Sequence, residues 1–277
     1  MVKVWNTTPH NAAPWKEAFL CDMDTMEGQE FAFSTLHNTT FNMDSMHSGS
    51  EYSSGFEPRN RFCAFRCFWA ELPDNASNPA PRNEGAFVSD MPTFTTDVRT
   101  EKIPDLFAGC NEGLDGSGGG APCEAVWWIR STLRQWRVRG RAYVVGPDIE
   151  GDGKGALAVR QALRRRMRVV RKDGQRSWSW SKELTAQFGN LSPSKRGRFV
   201  APPPGRPVDE PYDDEILGVG RQIHDLEHPI ARKHFRVVVI VPEVVERLDM
   251  QDPRTARKHV YTFNSEHDSW TYQECWP

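Results

Sequence analysis

Two neighbouring stretches decide the fold class: APCEAVWWIR at residues 121–130 and LRQWRVRGRAYVV at residues 133–145. Both are rich in aromatic and β-branched residues, and residues 135–139 alternate between polar and apolar side chains. Because successive side chains of a β-strand point to opposite faces, this alternation predicts two long strands. Only two residues separate them, so we expect an antiparallel hairpin.

Similar patterns on both sides of this hairpin predict more strands. Residues 234–241 (HFRVVVIV) form an almost continuous β-branched run, which is typical of a strand buried on both faces, and residues 244–250 continue it. The other predicted strands cover residues 29–36 (QEFAFSTL), residues 61–72 (RFCAFRCFWAEL), one strand from residues 86–90 and 93–96, and a terminal hairpin of residues 258–263 and 269–276. Because strands occur at both ends of the chain, we expect one closed sheet rather than two domains.

Helical patterns lie between these strands. Residues 13–26 space their apolar side chains at three- and four-residue intervals, and further helices are predicted at residues 99–108 with a cap near Thr100, at 157–170, at 178–188 and within 213–228. Three stretches lack a period and predict a long loop or insertion (37–59), a flexible linker (113–120) and an extended linker (202–211). We therefore predict a single domain of residues 1–277 that is mainly β with α insertions, including a helical insertion at about residues 151–200.

The composition argues against several classes of partner. The 277 residues include 35 basic and 37 acidic side chains, so the net charge of -2 creates no general attraction to nucleic acid or membranes. The basic stretch Arg160–Arg176 is most simply a solvated helix face, with RNA or an acidic partner as the alternative. No apolar stretch reaches the length of a membrane span, and residues 1–15 lack a signal-peptide core. We therefore expect a cytoplasmic protein without nucleic-acid or membrane partners.

The cysteine and histidine spacings do not form a metal motif. The close pair Cys63 and Cys67 has no second pair to complete a zinc site. Since strand residues four apart are separated by roughly 13 Å, this pair is also too distant for a disulfide. His224 and His228 have ligand spacing on a helix but lack a third ligand. We therefore predict no metal site and a reducing compartment.

Two short segments place charge at the end of a predicted strand. In RFCAFR, residues 61–66, the arginines Arg61 and Arg66 fall on opposite faces, so both reach one ligand only if it lies over the end of the strand. In TTDVRTEK, residues 95–102, a strand leads into a helix start, where free backbone N–H groups stand beside a hydroxyl and a lysine. Helix starts of this kind bind phosphate. With a third segment, these two predict an anion cradle.

A third segment, RQWRVRG at residues 134–140, lies on the hairpin that decides the fold. Its period of two places Gln135, Arg137 and Arg139 on one face of a strand. The glycines of residues 113–120 do not extend the cradle as a phosphate loop, because no Gly-Lys-Ser/Thr motif follows and the next segment is a predicted strand. The cradle therefore rests on the three segments.

In order and spacing, these segments resemble the FMN-binding strand, phosphate turn and glutamine-containing strand of the pyridoxamine 5'-phosphate oxidase family. The resemblance spans roughly residues 15–250. It implies an FMN-binding split β-barrel that works as a homodimer, with the flavin at the interface. It implies Arg61 and Arg66 as contacts to the flavin phosphate and ribityl chain. The full set of implied cofactor-binding residues is Arg61, Arg66, Thr96, Thr100, Lys102 and Gln135.

Two departures limit what the resemblance implies. Glu101 stands where vitamin-processing members of the family carry an arginine, and we expect it to point to solvent. The tryptophan and arginine motif near the C-terminus of those members has no counterpart here, since Trp270 and Trp276 lack the matching context. Oxidation of pyridoxamine phosphate is therefore not implied, and no catalytic residue is assigned.

The resemblance predicts a flavin-dependent oxidoreductase that acts on a small substrate. One alternative is a non-catalytic protein that binds FMN or another cofactor as a carrier, sensor or scaffold. Another is a binding module with an empty barrel. A bound flavin that a substrate reduces favours the enzyme, whereas a bound flavin that stays inert favours the carrier.

Overall fold

The computed structural model describes residues 3–6, 13–39, 55–83, 85–108 and 113–277. The strands within these residues are β1 (Lys3–Asn6), β2 (Glu30–Asn38), β3 (Phe56–Ala64), β4 (Phe87–Val88), β5 (Thr93–Asp97), β6 (Gly118–Ile129), β7 (Arg134–Val145), β8 (Arg168–Val169), β9 (Phe235–Asp249), β10 (Arg257–Asn264) and β11 (Ser269–Cys275). The α-helices are α1 (Lys16–Met23), α2 (Lys102–Leu106), α3 (Lys154–Arg164), α4 (Trp180–Gly189), α5 (Pro193–Gly197) and α6 (Pro229–His234).

One antiparallel sheet dominates the structure. Its strands are hydrogen-bonded in the order β1-β11-β10-β9-β7-β6-β2-β3, and β5 also pairs with β9. Just beyond the end of β3, the Arg66 N–H donates to Thr93 O and the Thr93 N–H donates to Cys67 O, both at 2.9 Å. The segment after β3 is thereby linked to β5, so the sheet curls back toward β9 as an incomplete barrel.

The predicted hairpin of β6 and β7 is confirmed, although residues 130–133 rather than two residues join its strands. Trp127 pairs with Trp136 across the hairpin, and both side chains are fully buried. Trp128 pairs with Gln135, the next position along each strand. Because side chains alternate, this second pair points to the opposite face of the sheet, away from the core.

Aromatic side chains fill the interior of the curled sheet. The helix α1, which confirms the helix predicted at residues 13–26, places Phe19 edge-on to Trp127 and Trp136 with ring centroids 5.1 and 5.5 Å apart. Phe31 of β2 stacks on Trp127 at 4.4 Å. Each buried side chain of this kind stabilises the fold by about 1.5–3 kcal/mol, because its apolar surface leaves water. The helix α1 thus closes one end of the core.

Both faces of β9 are buried, as its continuous apolar run predicts. Val238 and Ile240 belong to the aromatic core inside the curled sheet. Val237 and Val239 belong to a second core, which also contains Leu163 of α3 and apolar side chains of α4. The helices within residues 151–200 therefore cover the outside of the sheet.

Pro242 lies in the middle of β9, where a proline removes a backbone donor. The pairing of β7 with β9 shifts register here, because Arg139 pairs with Val244 and Gly140 pairs with Pro242. A Cβ at position 140 would lie 2.0 Å from the carbonyl oxygen of Val241. Glycine therefore lets the two backbones approach closely at this bulge.

Some strand boundaries differ from the prediction. The strand predicted at residues 61–72 is β3, which starts earlier, at Phe56, and ends earlier, at Ala64. These bounds arise because β3 pairs with β2 along its whole length. Residues 56–59 are accordingly strand rather than part of the loop predicted at residues 37–59, of which residues 40–54 lie outside the described residues. The one strand predicted from residues 86–90 and 93–96 is two strands, since β4 pairs with β8 and β5 pairs with β9.

The glycine-rich linker predicted at residues 113–120 is also partly wrong. Gly118, Gly119 and Gly120 begin β6. Gly119 and Gly120 adopt φ angles of +96° and +108°, which L side chains rarely take. These glycines therefore start a strand through an irregular backbone rather than forming a free linker.

The helix predictions are confirmed in position more often than in length. The helix predicted at residues 178–188 is α4, but the one predicted at residues 157–170 ends at Arg164, because β8 then pairs with β4. Residues 213–228 contain turns instead of a helix. The next helix, α6, starts only at Pro229, where the ring of His228 accepts a hydrogen bond from the Ala231 N–H at 3.3 Å.

No helix within the described ranges has the length and apolar character needed to cross a membrane. The same residues contain no group of three His, Cys, Asp or Glu side chains placed to hold a metal ion. Their cysteines are free thiols.

Candidate functional site

The turn between β5 and α2 brings together Thr96, Thr100 and Lys102, which we call the Lys102 turn. Lys102 Nζ donates to Thr96 Oγ1 and Thr100 Oγ1, both at 3.0 Å. Thr100 Oγ1 donates its own proton to Asp97 O at 2.8 Å, so its lone pairs remain available to the lysine. The helix cap predicted near Thr100 falls at Glu101, whose side chain makes no capping hydrogen bond.

Lys102 is a partly buried cation. Burial lowers the pKa of Lys102 below its ordinary value of 10.5, and the positive charge of Arg61 lowers it further, whereas Cys63, Asp97 and Asp105 raise it. Within the described residues, the hydrogen-bond partners of the ammonium are two hydroxyls and no carboxylate. A partly buried charge without a directly bonded counter-charge is costly, so an anion that bonds to this ammonium would be stabilised.

Arg61 approaches the same turn from β3. Its Nη1 donates to Thr35 Oγ1 at 2.6 Å, and its Nη2 donates to the Asp105 carboxylate at 3.2 Å. Cys63 lies on the same face two residues further along β3, and burial raises the pKa of its thiol to about 11. The charges of Lys102 and Arg61 both act on this thiol, so the two cations flank it.

Sequence reasoning missed the residues that hold Arg61. The Asp105 side chain, only 1% exposed, also accepts hydrogen bonds from Thr35 Oγ1 at 2.6 Å and His37 Nδ1 at 2.8 Å. Two signals in the sequence were available: Thr35 and His37 share a strand face by period two, and Asp105 lies one helical turn after Lys102. Neither signal indicates that the helix and the strand meet.

A cavity of about 270 Å³ opens beside this network. It is lined by His37, Arg59, Arg61, Glu101 and Asp105. Glu101 is exposed, as expected, yet it lies at the cavity wall. The cavity therefore has mixed charge, unlike the Lys102 turn.

Arg66 lies apart from the Lys102 turn. Its Nε donates to Thr95 Oγ1 at 3.4 Å, and Thr95 and Thr96 are consecutive residues that point to opposite faces of β5. Burial lowers the pKa of Arg66, and the charge of Arg198 from the helical layer lowers it further. A ligand that contacts both Arg61 and Arg66 must therefore pass the edge of β5.

Gln135 is not brought to the other candidates within one chain. It lies on β7 beside the fully buried Trp136, so its side chain points away from the core. Arg61 points to the core face of the sheet, where it is paired with Phe33 of β2. The two candidate residues therefore lie on opposite faces.

The donors of the Lys102 turn fit a phosphate group. An ammonium and two hydroxyls converge there, and the hydrogen-bond partners of the ammonium include no described carboxylate, although Asp97 and Asp105 act on it through space. Charge-assisted hydrogen bonds of this kind are the usual means of holding phosphate oxygens. Geometry and charge thus both favour a phosphate monoester as the ligand.

Comparison with known families gives this site a context. The model of the family described as pyridoxamine 5'-phosphate oxidase, FMN-binding domain, matches residues 12–146, a range that contains all six predicted site residues. No curated protein matches the chain.

Two solved structures illustrate the likeness. A pyridoxamine 5'-phosphate oxidase-related, FMN-binding protein from Nostoc punctiforme PCC 73102 superposes with a TM-score of 0.60 and 17% identity, over 96% of this chain and 100% of that chain. PhzG from Burkholderia lata 383, in complex with tetrahydrophenazine-1-carboxylic acid, gives a TM-score of 0.42 and 14% identity, over 97% and 94% of the two chains.

The first of these structures confirms the predicted fold, a mainly β split barrel with α insertions. The family match covers the strands and the turn from which the anion cradle was predicted. The resemblance to the pyridoxamine 5'-phosphate oxidase family is thereby confirmed over residues 12–146, which match the model of its FMN-binding domain.

Proposed function

We propose that this chain binds FMN and acts as a flavin-dependent oxidoreductase on a small substrate. The observation that carries the proposal is the Lys102 ammonium, held by two hydroxyls and left without a described carboxylate partner inside a match to an FMN-binding domain. FMN carries a phosphate at the end of its ribityl chain and, when bound, supplies hydride and electron transfer. The protein binds and orients the groups that react.

In this proposal the phosphate is held by the Lys102 turn together with Arg61. Arg61 is already anchored through Nη1 and Nη2, and its Nε has no partner among the described residues. Arg66 serves the ribityl end of the cofactor from the other side of β5, where Thr95 holds its side chain. Arg66 thus lies on the other side of β5 from the Lys102 turn. This separation supports an elongated ligand that has a phosphate at one end.

We further propose that two copies of the chain form a homodimer with the flavin at the interface. Gln135 and Trp128 share the outer face of the sheet with two exposed apolar side chains, Leu36 at 46% and Phe62 at 81%. Exposed apolar surface of this kind favours a protein interface. A second copy on this face would let Gln135 of one chain serve the cofactor site of the other.

We also propose that residues 1–277 form one domain in the cytoplasm. The strand β9 supports a single domain, because it belongs to both hydrophobic cores. The free cysteines of the described residues support a reducing compartment. Limited proteolysis that released the helical residues 151–200 as a stable fragment would argue against one domain.

The visible absorption spectrum of the purified protein, followed by chromatography of the cofactor that heat releases, tests the proposal. We expect flavin bands, release of FMN, and loss of both in the double variant Arg61→Ala with Lys102→Ala. A bound flavin that no electron donor reduces would favour the carrier, sensor or scaffold. A colourless protein that gains no flavin on incubation would exclude both flavin functions.

A further inference from the structure

Asp105 is a buried carboxylate in a region that attracts anions. It lies on α2 one turn after Lys102, and its side chain is 1% exposed. Three side chains donate to it: Thr35 at 2.6 Å, His37 at 2.8 Å and Arg61 at 3.2 Å. A carboxylate this close to the proposed phosphate site repels the phosphate. Asp105 is therefore expected to have a role that favours phosphate binding and outweighs this repulsion.

The contacts of Arg61 indicate that role. Thr35 Oγ1 accepts a hydrogen bond from Arg61 Nη1 and donates its own proton to the Asp105 carboxylate. The guanidinium is thus held by a triangle of three bonds that joins β3, β2 and α2. An arginine side chain has about 2 kcal/mol of rotamer entropy, most of which is lost when it binds a ligand. In this triangle the side chain is ordered before the ligand arrives.

Arg61 retains donors for a ligand in this arrangement. A guanidinium has five N–H groups. The described partners of Arg61 use Nη1 and one proton of Nη2, so the Nε proton and the second Nη2 proton remain without a partner among the described residues. Two donors of one fork match two oxygens of a phosphate.

We propose that Asp105 is a positioning residue for the cofactor phosphate, acting through Arg61 with Thr35 as the bridge. This inference rests on the proposed FMN function. It assigns Asp105 no contact with the cofactor. The effect of Asp105 on flavin binding requires both the phosphate group and Arg61. This effect therefore disappears when either one is absent.

The sign of the effect separates positioning from simple electrostatics. Removing a negative charge near an anion site tightens anion binding if the charge acts only through space. If Asp105 positions Arg61, its removal weakens phosphate binding, because the guanidinium loses its anchor and its preorganisation. The substitution Asp105→Asn keeps the shape of the side chain and removes the charge, so the two accounts predict opposite results.

The test compares FMN with riboflavin, which lacks the phosphate, by titrating the full chain after its flavin has been dialysed away. We expect Asp105→Asn to weaken FMN binding about tenfold, the effect of losing one hydrogen bond to a charged group, and to leave riboflavin binding unchanged. In an Arg61→Ala background, Asp105→Asn should have no further effect on FMN. Tighter FMN binding, or equal losses for both flavins, would overturn the proposal.

A second pair of variants covers the case in which Asp105→Asn does not fold. Thr35→Val removes the bridging hydroxyl with little change of shape, and Thr35→Ser retains it. We expect Thr35→Val to weaken FMN binding selectively and Thr35→Ser to preserve it. Equal FMN affinities for the two variants would contradict the positioning role. A wild-type chain that does not prefer FMN to riboflavin would instead contradict the proposed phosphate site, and the positioning role with it.

Discussion

The Lys102 ammonium lies 3.0 Å from the hydroxyl oxygen of Thr96, six residues earlier in the chain, and so joins the start of α2 to the end of β5. Thr100 completes the arrangement from the intervening turn. A charged group held by neutral hydroxyls keeps its charge available to a ligand. This contact leaves the Lys102 turn with a cation whose described hydrogen-bond partners are neutral.

Replacing Lys102 should therefore affect the phosphate of FMN and not its ring. We expect Lys102→Met, which keeps the length of the side chain, to weaken FMN binding by about 1.5–3 kcal/mol, the range for hydrogen bonds to charged groups. Riboflavin binding should be unchanged. Fluorescence titration of both flavins measures this difference, and the exposed Lys172→Met is the control. Similar losses for the two flavins would argue against phosphate at this turn.

The proposed dimer face can be tested at Phe62, which is 81% exposed on β3. A carboxylate buried in an interface without a partner is strongly destabilising. We expect Phe62→Glu to convert a dimer into a monomer of 31.6 kDa, as measured by sedimentation equilibrium. Val208→Glu, at a position that is 101% exposed outside the sheet, should leave the dimer intact. An unchanged mass for Phe62→Glu would place the interface elsewhere.

Asp22 should be a large contributor to stability. Its carboxylate accepts hydrogen bonds from Trp136 Nε1 at 2.8 Å and Arg134 Nη1 at 2.9 Å. Asp22→Ala leaves the buried indole N–H without its acceptor, so we expect the free energy of unfolding to fall by about 2–3 kcal/mol. Urea denaturation measures the loss. The exposed neighbour Asp24→Ala should change stability by less than about 0.5 kcal/mol.

Glu183 should make stability depend on pH. Burial raises the pKa of this carboxyl above its ordinary value of 4.5, although Asn83 and Gln187 donate hydrogen bonds to it and oppose the shift. The folded state therefore holds the proton more tightly than the unfolded state. The resulting stabilisation is complete below the ordinary pKa and is lost as the pH rises through the folded pKa.

Urea unfolding between about pH 4 and about pH 8 can isolate this contribution by comparing the wild type with Glu183→Gln. We expect the stability of the wild type, relative to the variant, to decrease as the pH rises, because only the wild type loses a proton at this position. The exposed Glu215→Gln is the control and should run parallel to the wild type. A difference that is constant with pH would show that the pKa of Glu183 is the same in the folded and unfolded states, which would contradict the prediction.

Patterns within single strands and helices were the part of the fold that could be predicted. The alternation in residues 133–145 and the apolar run of residues 234–241 each depend on which faces are buried, and both strands are confirmed. Boundaries failed where pairing overrode local pattern. β3 starts at Phe56 because β2 pairs with it there, and β8 replaces the end of a predicted helix because β4 lies beside it.

The candidate site was predictable only in part. The hydroxyl and lysine of the Lys102 turn lie within seven residues, 96–102, so their chemistry is visible in one segment. Asp105 and Arg61 are 44 positions apart, and their contact exists only because α2 packs against β2, which pairs with β3. No local pattern reports such a contact.

The sequence by itself predicted most of the long strands, the apolar side of each and the position of the Lys102 turn, because these depend on side chains at short, regular spacing. The tertiary structure alone decided that Arg66 contacts Thr95 of β5, that Gln135 lies on the outer face, and that a buried aspartate holds Arg61. These relationships depend on how the sheet curls and where α2 packs. Both features are determined by many residues that are distant from one another in the chain.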